Sequence, residues 1–463
     1  LTKDITDLLK LRNDGLKNAT PLGTAAAPYN LSNSTGAATV ENTANSYLIS
    51  APGHYRIPLV YGNAIKNGAT NSSAYQTSNT GTRILSNFQD HVGQPITDPW
   101  IEKTNGGANA GVNGANIVWA DEKDLVHLST SPIVYDASGD AYLDFEVKQA
   151  DIKSGNAVVA VTKNGTVVWS WHLWFAPKSA LTPIPVTNYQ NKVYNFTTET
   201  LGWKPTVWSG STYDKPRTVK VKVEQTIANG GVKQVTVINI TQNNGDKRKG
   251  IATLYQFGRK DALPGTDTFY PTNGYSFDNT HGGRSLGYAI QHPENMFTTT
   301  EGHGINYFDW CNATYYNLWS ADNTTTGFND NAVIKTVYDP CPVGFKMPAS
   351  NAFTGFTSDG QNQSIAVYAN INGTDDFLKF SATYGHNFYT NSSKTATIFF
   401  PALGYRSSSI DGSFYGIGST GAYWAAVPDN PNFGSNLYFN RISVGPLGSS
   451  SRWTGRAARP VSE

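Results

Sequence analysis

The run YDPCPVGFKMP, at positions 338–348, encloses one of the two cysteines of the chain between two prolines. Each proline fixes its own backbone φ angle and lacks the amide hydrogen that a helix or a strand would use. The residue before each proline is pushed toward extended conformations as well. We therefore expect Pro340 and Pro342 to end one element sharply and to start the next strand in one set direction.

The composition of the 463-residue chain limits its class. The 35 Lys and Arg residues nearly cancel the 34 Asp and Glu residues, which argues against nucleic acid or an anionic membrane as the main partner. No apolar run approaches the roughly 20 residues of a transmembrane span. Leu1 does not begin a signal peptide, so we expect that an export signal or lipid anchor has been removed or left out.

Helix and strand signals divide the chain into three predicted segments. Residues 1–45 are predicted to form an N-terminal helix, with Thr2 and Asp4 as N-terminal caps, followed by an extended leader. Residues 46–245 are rich in short β-prone runs and are predicted to be all-β. From 246 to 463 the strands shorten and Gly, Asn and aromatic residues become denser, which indicates a separate, loop-rich unit.

Two hairpins are predicted in the middle segment. In residues 155–175, Asn164-Gly165 separates two β-rich arms, which is the usual signal for a type I′ turn. In residues 217–242, Val alternates with Lys around an Asn-Gly-Gly turn. Such alternation is typical of a half-buried strand with one face in water.

The second arm of the first hairpin, VWSWHLWF (168–175), carries a histidine among tryptophans. Alternation places Trp169, Trp171, Leu173 and Phe175 on one face of the strand and Ser170, His172 and Trp174 on the other. We interpret it as a core strand with a hydrogen-bonded histidine on its second face. The alternative is a tryptophan platform on which sugars stack.

Sequence signatures of catalysis and of metal binding are weak or missing. GIGSTG (416–421) matches the dinucleotide fingerprint, but the strand-like AYWAAV follows it where a helix is required. The loops 136–140, 322–330 and 428–432 lack the acidic density of an EF-hand. A polysaccharide-cleaving enzyme would need a pair of convergent carboxylates, and nothing marks one. We therefore predict no enzyme, no catalytic residue, no metal and no cofactor.

The opening run also carries a family resemblance. It resembles the D-P-C-P-x-G-[WF]-[KR]-x-P motif of the Fibrobacter major paralogous domain, a relative of the C-type lectin fold in surface proteins of the Bacteroides type. The rest of that pattern follows in order as FFPALGYR (399–406), GAYWAAVP (421–428), LYFNRISVGP (437–446) and RWTGRAARPVSE (452–463).

Upstream blocks are similar to those that accompany this domain in fimbrillin-family proteins. They are SYLISAPGHYRIPLVYGNAIKNG (46–68), IVWADEKDLV (117–126), GNAVVAVTKNGTVVWSWHLWF (155–175) and LYQFGRKDALPG (254–265). The resemblance covers roughly residues 46–463. It implies a mainly-β protein with an N-terminal β-sandwich of the fimbrillin or transthyretin-like type, followed by a loop-rich, C-type-lectin-like α+β domain.

The resemblance implies a cell-surface adhesin, as a fimbrial tip subunit outside the cell. Its domain of residues 46–245 would accept a donor strand from other pilus subunits by β-strand addition. Its domain of residues 246–463 would present a ligand-binding surface to a glycan or a protein. The alternative function is a surface glycan-binding lipoprotein for polysaccharide capture, made as an outer-membrane lipoprotein precursor.

The resemblance also bears on the cysteines and on calcium. It implies that the DPCP run is a structural corner. Related domains often end in R-C-V, where this chain has Arg459-Pro460-Val461. A disulfide of Cys341 would therefore be to Cys311, and two buried, unpaired thiols are the alternative. The family's calcium-dependent sugar triplets, Glu-Pro-Asn and Trp-Asn-Asp, are absent, so we expect no calcium-dependent sugar binding.

For ligand contact we predict aromatic side chains and one arginine of the C-terminal loops, because rings stack on sugar faces and anchor protein contacts. These residues are Tyr405, Arg406, Phe414, Tyr415, Tyr423, Trp424, Phe433 and Trp453. Burial is the alternative for Tyr423 and Trp424, which lie in a core motif of the family. Phe414, Tyr415 and Phe433 lie in Gly-rich loops and are expected to be exposed.

Overall fold

The computed structural model describes residues 5–211, 216–226, 231–242, 247–280, 282–298, 308–363, 369–371, 380, 383–407 and 411–463. Strands hold 41% of the chain and helices 8%, which confirms the mainly-β class. Within the described ranges the longest helix has ten residues, too short to cross a bilayer.

Two four-stranded sheets organise the first half of the chain. The first, here called the central sheet, has the strand order Ser46–Ile49, Thr166–Phe175, Gly155–Lys163 and Gly114–Ala120. The second, here called the outer sheet, has the order Tyr29–Asn30, Gly53–Pro58, Ala141–Val147 and His127–Tyr135.

The second half contains a five-stranded sheet, here called the C-terminal sheet. Its order is Leu254–Tyr255, Arg456–Ala457, Thr420–Pro428, Phe433–Asn440 and Val444–Ser451. A further four-stranded sheet joins both halves, in the order Pro183–Thr187, Val193–Thr197, Val461–Ser462 and Phe345–Lys346. A three-stranded sheet has the order Ile5–Asp7, Lys204–Ser211 and Lys247–Ile251.

The remaining elements are short. Two-stranded pairs are Arg217–Glu224 with Val235–Gln242, Ser276–Asp278 with Asn295–Phe297, Gly385–Tyr389 with Thr397–Pro401, Tyr405–Arg406 with Phe414–Tyr415, and Ile65–Lys66 with Ala69–Thr70. The α-helices are Leu8–Lys17, Thr104–Gly107 and Leu286–Gln291, and the 3-10 helices are Ser72–Ala74, Lys178–Leu181 and Thr354–Phe356.

The predicted hairpin of residues 155–175 is confirmed as the core of the central sheet. Asn164 and Gly165 both have positive φ, 51° and 86°, as a type I′ turn requires. The arms pair in antiparallel register from Gly155 opposite Phe175, with a bulge after Val161. Asparagine and glycine adopt this left-handed region at low cost, so the turn residues set the register.

The central sheet separates two apolar clusters. Trp169, Trp171, Leu173 and Phe175 pack in the cluster that also contains side chains of the outer sheet, whereas Trp174 packs in the other. The predicted alternation is therefore confirmed. At most 1% of Trp169, Trp171 and Trp174 is exposed, so the alternative of a sugar-stacking platform is wrong. Each cluster contains residues from both sides of the boundary predicted at 245/246.

The N-terminal segment is a helix followed by a packed strap. A helix covers Leu8–Lys17 of the segment 1–17 in which a helix was predicted, with the Asp7 carboxylate accepting from the Lys10 amide as N-cap. Ile5–Asp7, which was expected to be helical, is a strand instead. The predicted caps Thr2 and Asp4 lie outside the described residues. The predicted extended leader pairs Tyr29–Asn30 with the outer sheet, and its buried Asn30, Ser32 and Asn33 side chains bond within the segment itself.

The two arms of the hairpin predicted for residues 217–242 pair, but their burial differs from expectation. Asn229 and Gly230 of the predicted turn lie outside the described residues. Arg217–Glu224 pairs with Val235–Gln242 along eight residues each. Every residue of the first strand is exposed, and so is every residue of the second except Gln242. The sequence pattern of one apolar face is present, yet no described element covers that face. We call this pair of strands the ribbon.

The DPCP run is a buried corner with its own hydrogen bonds. The Asp339 carboxylate accepts from the amides of Cys341 at 2.7 Å and Met347 at 2.9 Å. The Lys335 ammonium donates to the carbonyls of Cys341 at 3.0 Å and Pro342 at 2.8 Å. Because the prolines prevent regular pairing, these two charged side chains take the place of a strand partner.

Residues of the central sheet bind the outside of this corner. The Asn45 amide donates to the carbonyls of Val337 at 2.6 Å and Asp339 at 2.8 Å. The Ser46 hydroxyl donates to the carbonyl of Pro340 at 2.6 Å. The corner is therefore fixed by side chains almost 300 positions earlier in the chain.

The two cysteines do not form the disulfide that the family resemblance implied. Cys311 and Cys341 are free, fully buried thiols that pack in different apolar clusters. Burial raises the pKa of the Cys311 thiol to about 12 and that of Cys341 well above its ordinary value. Both therefore remain protonated near neutral pH and act as small apolar side chains.

His172 is a buried, neutral junction between the central sheet and the corner. The Asn156 amide nitrogen donates to Asp121 and Gly202, so its oxygen faces His172 Nε2 at 3.0 Å. The imidazole must therefore donate from Nε2 and accept at Nδ1. The Tyr255 hydroxyl, 3.3 Å from Nδ1, is its donor, because the single proton of the Ser46 hydroxyl goes to the Pro340 carbonyl. Burial lowers the pKa of His172 to about 3.

This pKa predicts a pH-dependent stability. Between pH 7 and pH 5 the unfolded chain takes up a proton near its ordinary pKa of about 6.5, whereas folded His172 does not. Stability from this residue is therefore lost as the pH falls. By urea unfolding, wild type should lose about 2 kcal/mol more than His172→Gln over this range. Equal losses, or a protonated His172 by NMR at pH 5, would contradict the assignment.

Candidate functional site

A polar cavity opens on the C-terminal sheet where two glycines face two large side chains. In the antiparallel pair of Phe433–Asn440 and Val444–Ser451, Asn436 lies opposite Gly448 and Tyr438 opposite Gly445, with a bulge between. A side chain at 448 would lie 2.7 Å from Asn436. Both glycines and both facing residues line a cavity of about 490 Å³, within the usual range for small-ligand sites.

Arg456 supplies the charge of this cavity. Its guanidinium donates to the Asn436 side-chain oxygen at 3.1 Å and to the Ser450 hydroxyl. It stacks over the rings of Tyr405 at 5.1 Å and Trp424 at 5.2 Å, in cation–π geometry. Burial lowers the pKa of Arg456 to about 10, so the group stays cationic at neutral pH.

The charge of Arg456 has no carboxylate counter-ion among the described residues, and its buried Nε has no hydrogen-bond partner there. Amides, hydroxyls and backbone complete the wall, from Asn362, Gln363, Ser443, Ser449 and Ser450. This wall is polar and carries one uncompensated positive charge, although Asn362 already bonds Leu447, Gln363 bonds Asp359 and Ser449 bonds Asp429. It therefore suits a hydroxyl-rich ligand that carries an anionic group.

Two of the predicted ligand residues lie beside this cavity. Tyr405 and Tyr415 face each other across a two-residue strand pair, with ring centroids 5.3 Å apart. Tyr415 is 54% exposed, as the sequence predicted for its Gly-rich loop, and Tyr405 is half-buried. Tyr405 also lies against the Arg456 guanidinium, so the two rings adjoin the charged group of the cavity without lining it.

Three of the predicted residues are instead buried in the core. Tyr423 and Trp424 are fully buried, which is the alternative that their core motif suggested. The Arg406 guanidinium lies 4.0 Å from the rings of both Tyr275 and Phe414 and donates to backbone carbonyls. Phe414 is half-buried rather than exposed because it covers this arginine.

Phe433 and Trp453 form a separate aromatic group around Phe308. Phe433 lies 4.9 Å and Trp453 5.9 Å from the Phe308 ring, measured between centroids. Both residues are half-buried. Phe433 was expected to be exposed, and its contact with Phe308 explains the difference.

Sequence reasoning missed Asn436, Tyr438 and Arg456, which build the cavity. The available signal was GPLG (445–448), which places two glycines in one strand. Glycine inside a strand often marks a bulge or a site that a ligand or another backbone approaches closely. No metal site accompanies the cavity: within the described ranges, no three His, Cys, Asp or Glu side chains converge.

The exposed and buried aromatics should differ in their effect on stability. Tyr415→Ala removes one exposed ring contact and should cost less than about 1 kcal/mol in free energy of unfolding. Trp424→Ala empties a fully buried site whose indole donates to the Tyr255 carbonyl, and should cost about 3–5 kcal/mol. Urea unfolding measures both, and similar costs would contradict the placement of Tyr415 on the surface.

Comparison with protein-family models, with curated proteins and with solved structures finds no match to this chain, so the motif resemblance stays a prediction.

Proposed function

We propose that this protein is a cell-surface adhesin that binds an acidic glycan in the cavity beside Arg456. We propose further that it is a fimbrial tip subunit, which accepts a donor strand from another pilus subunit. In this proposal the central and outer sheets form the fimbrillin-type β-sandwich. The C-terminal sheet belongs to the lectin-like domain.

The observation that carries the glycan proposal is the chemistry of the cavity wall. An unpaired cation, three side-chain amides and several hydroxyls match the carboxylate and hydroxyl groups of an acidic sugar. The adjacent Tyr405 and Tyr415 rings are placed to stack on a second sugar. A charged cavity at the surface also favours binding over catalysis, since no carboxylate lines its described wall.

The ribbon supports the docking part of the proposal. Val219, Val221, Val223, Ile238 and Ile240 share one face, and each is 38–49% exposed. Isolated two-stranded pairs are marginal in water, so a covering partner would stabilise the ribbon. Its outer edges have no paired strand among the described residues, as strand addition requires.

The ribbon also separates the tip subunit from the alternative, a glycan-capture lipoprotein. Either protein could use the cavity of Arg456. Only an assembling subunit needs an exposed apolar face beside an open strand edge, which is otherwise an aggregation risk. The ribbon therefore favours assembly into a pilus.

The glycan proposal is tested with immobilised glycans that differ only by a carboxylate. Wild type should bind the acidic members, and Tyr438→Ala should weaken this binding at least about tenfold because it removes one cavity wall. Tyr135→Ala, which removes an exposed tyrosine of the outer sheet, is the matched control and should bind as wild type does. Equal binding of acidic and neutral glycans, or unchanged binding by Tyr438→Ala, would refute the proposed site.

Strand addition is tested with prolines at the ribbon edges. Gln225 donates to Gln234 within the ladder, so alternation directs the amides of Lys220 and Asn239 outward. Lys220→Pro with Asn239→Pro should remove the protein from filament ends, whereas the double alanine variant should stay there. Immunogold microscopy with antibody to residues 246–463 measures this. Wild-type gold spread over the outer membrane would favour the capture lipoprotein, and proline variants still at filament ends would exclude the ribbon.

A further inference from the structure

A second cavity lies under the N-terminal helix, far in sequence from the cavity of Arg456. Its volume is about 820 Å³, and apolar atoms form most of its wall. Leu8, Leu11, Leu16 and Leu22 line it, together with Trp208. Leu11 is 56% exposed, so a large apolar side chain of the helix stands at its opening.

Arg248 places an unsatisfied cation in this apolar wall. Its guanidinium stacks over the rings of Trp208 and Phe399, each at 4.5 Å. Its Nε is buried and has no hydrogen-bond partner among the described residues. Among the described residues, no carboxylate lies within ion-pair distance of Arg248.

The single carboxylate of the cavity is already used by another arginine. Glu199 accepts from Arg12 through both oxygens, at 2.6 Å and 2.8 Å. The Arg12 Nε donates to the Ser154 hydroxyl at 2.8 Å. Lys178 adds a further cation at the rim. Three cations therefore face one carboxylate, and the positive charge that remains is that of Arg248 and Lys178.

Burial of the Arg248 Nε without a hydrogen-bond partner costs free energy. The buried Nε of this half-buried arginine has lost its hydration without gaining a hydrogen bond, and the rings beside the guanidinium return only part of that loss. The same burial lowers the pKa of Arg248 to about 10, which still leaves it charged at neutral pH. An anion that entered the cavity would gain the full charge-assisted hydrogen bond.

We propose that this cavity binds a small amphipathic carboxylate, with its acid group on Arg248 and its hydrocarbon body among the leucines of the N-terminal helix. The volume and the apolar wall indicate a small ligand with a hydrocarbon body, and the unpaired guanidinium indicates that the ligand is an anion. This site is separate from the glycan cavity and does not depend on the proposed adhesin function.

The probe is octanoate, titrated into the full chain by calorimetry, with 1-octanol as its uncharged counterpart. Octanoate should bind at one site with a Kd of about 1 mM or tighter, and octanol at least about tenfold more weakly. Arg248→Met should reduce octanoate affinity at least about tenfold. Lys247→Met removes the same charge from the neighbouring exposed position and should leave affinity unchanged.

A second variant keeps the test independent of the folding of Arg248→Met. Leu11→Asp places a carboxylate at the exposed opening and should weaken octanoate at least about tenfold, whereas the neutral Leu11→Asn should weaken octanoate and octanol alike. Thermal melting should show that all variants fold.

Three results would overturn the proposal. They are no saturable octanoate binding up to about 10 mM, equal binding of octanol and octanoate, and unchanged octanoate affinity in Arg248→Met. Glycan binding by the same preparation is read separately, so failure here leaves the first cavity untouched.

Discussion

Three buried backbone carbonyls around the proline corner need hydrogen-bond donors, and the rest of the structure depends on the side chains that supply them. Val337, Asp339 and Pro340 lie in a buried run that cannot pair as a strand. A buried carbonyl left without a donor costs about 1–3 kcal/mol. Asn45 and Ser46, at the start of the central sheet, supply all three hydrogen bonds.

This requirement joins the two halves of the chain around one sheet. The central sheet has apolar side chains on both faces, so each face needs a separate cover. The outer sheet contributes to one cluster, and the C-terminal sheet contributes to the other. The cavity of Arg456 lies on a strand pair of the C-terminal sheet, and the ribbon packs against neither apolar cluster and is exposed.

Local patterns predicted local structure well. Asn164-Gly165 fixed a hairpin, and alternation around His172 assigned each tryptophan to its face, because both depend only on neighbouring residues. Burial depends on distant chain segments, which no window of sequence contains. The ribbon therefore looked half-buried, and Phe433 looked exposed although it meets Phe308.

The site was less predictable for the same reason. Aromatic density identified Tyr405 and Tyr415, but Arg456 and Tyr438 reach the cavity through strand pairing and a bulge that sequence does not display. The unsatisfied Arg248 likewise appears only once the partners of Glu199 are known.

Calorimetry of the intact chain tests the joined architecture most directly. Because both apolar clusters draw on both halves, unfolding should be a single transition with a van't Hoff to calorimetric enthalpy ratio of about 1. Fluorescence and circular dichroism should report the same midpoint. Two resolved transitions, one for each side of residue 245, would show two independent domains and would contradict this account.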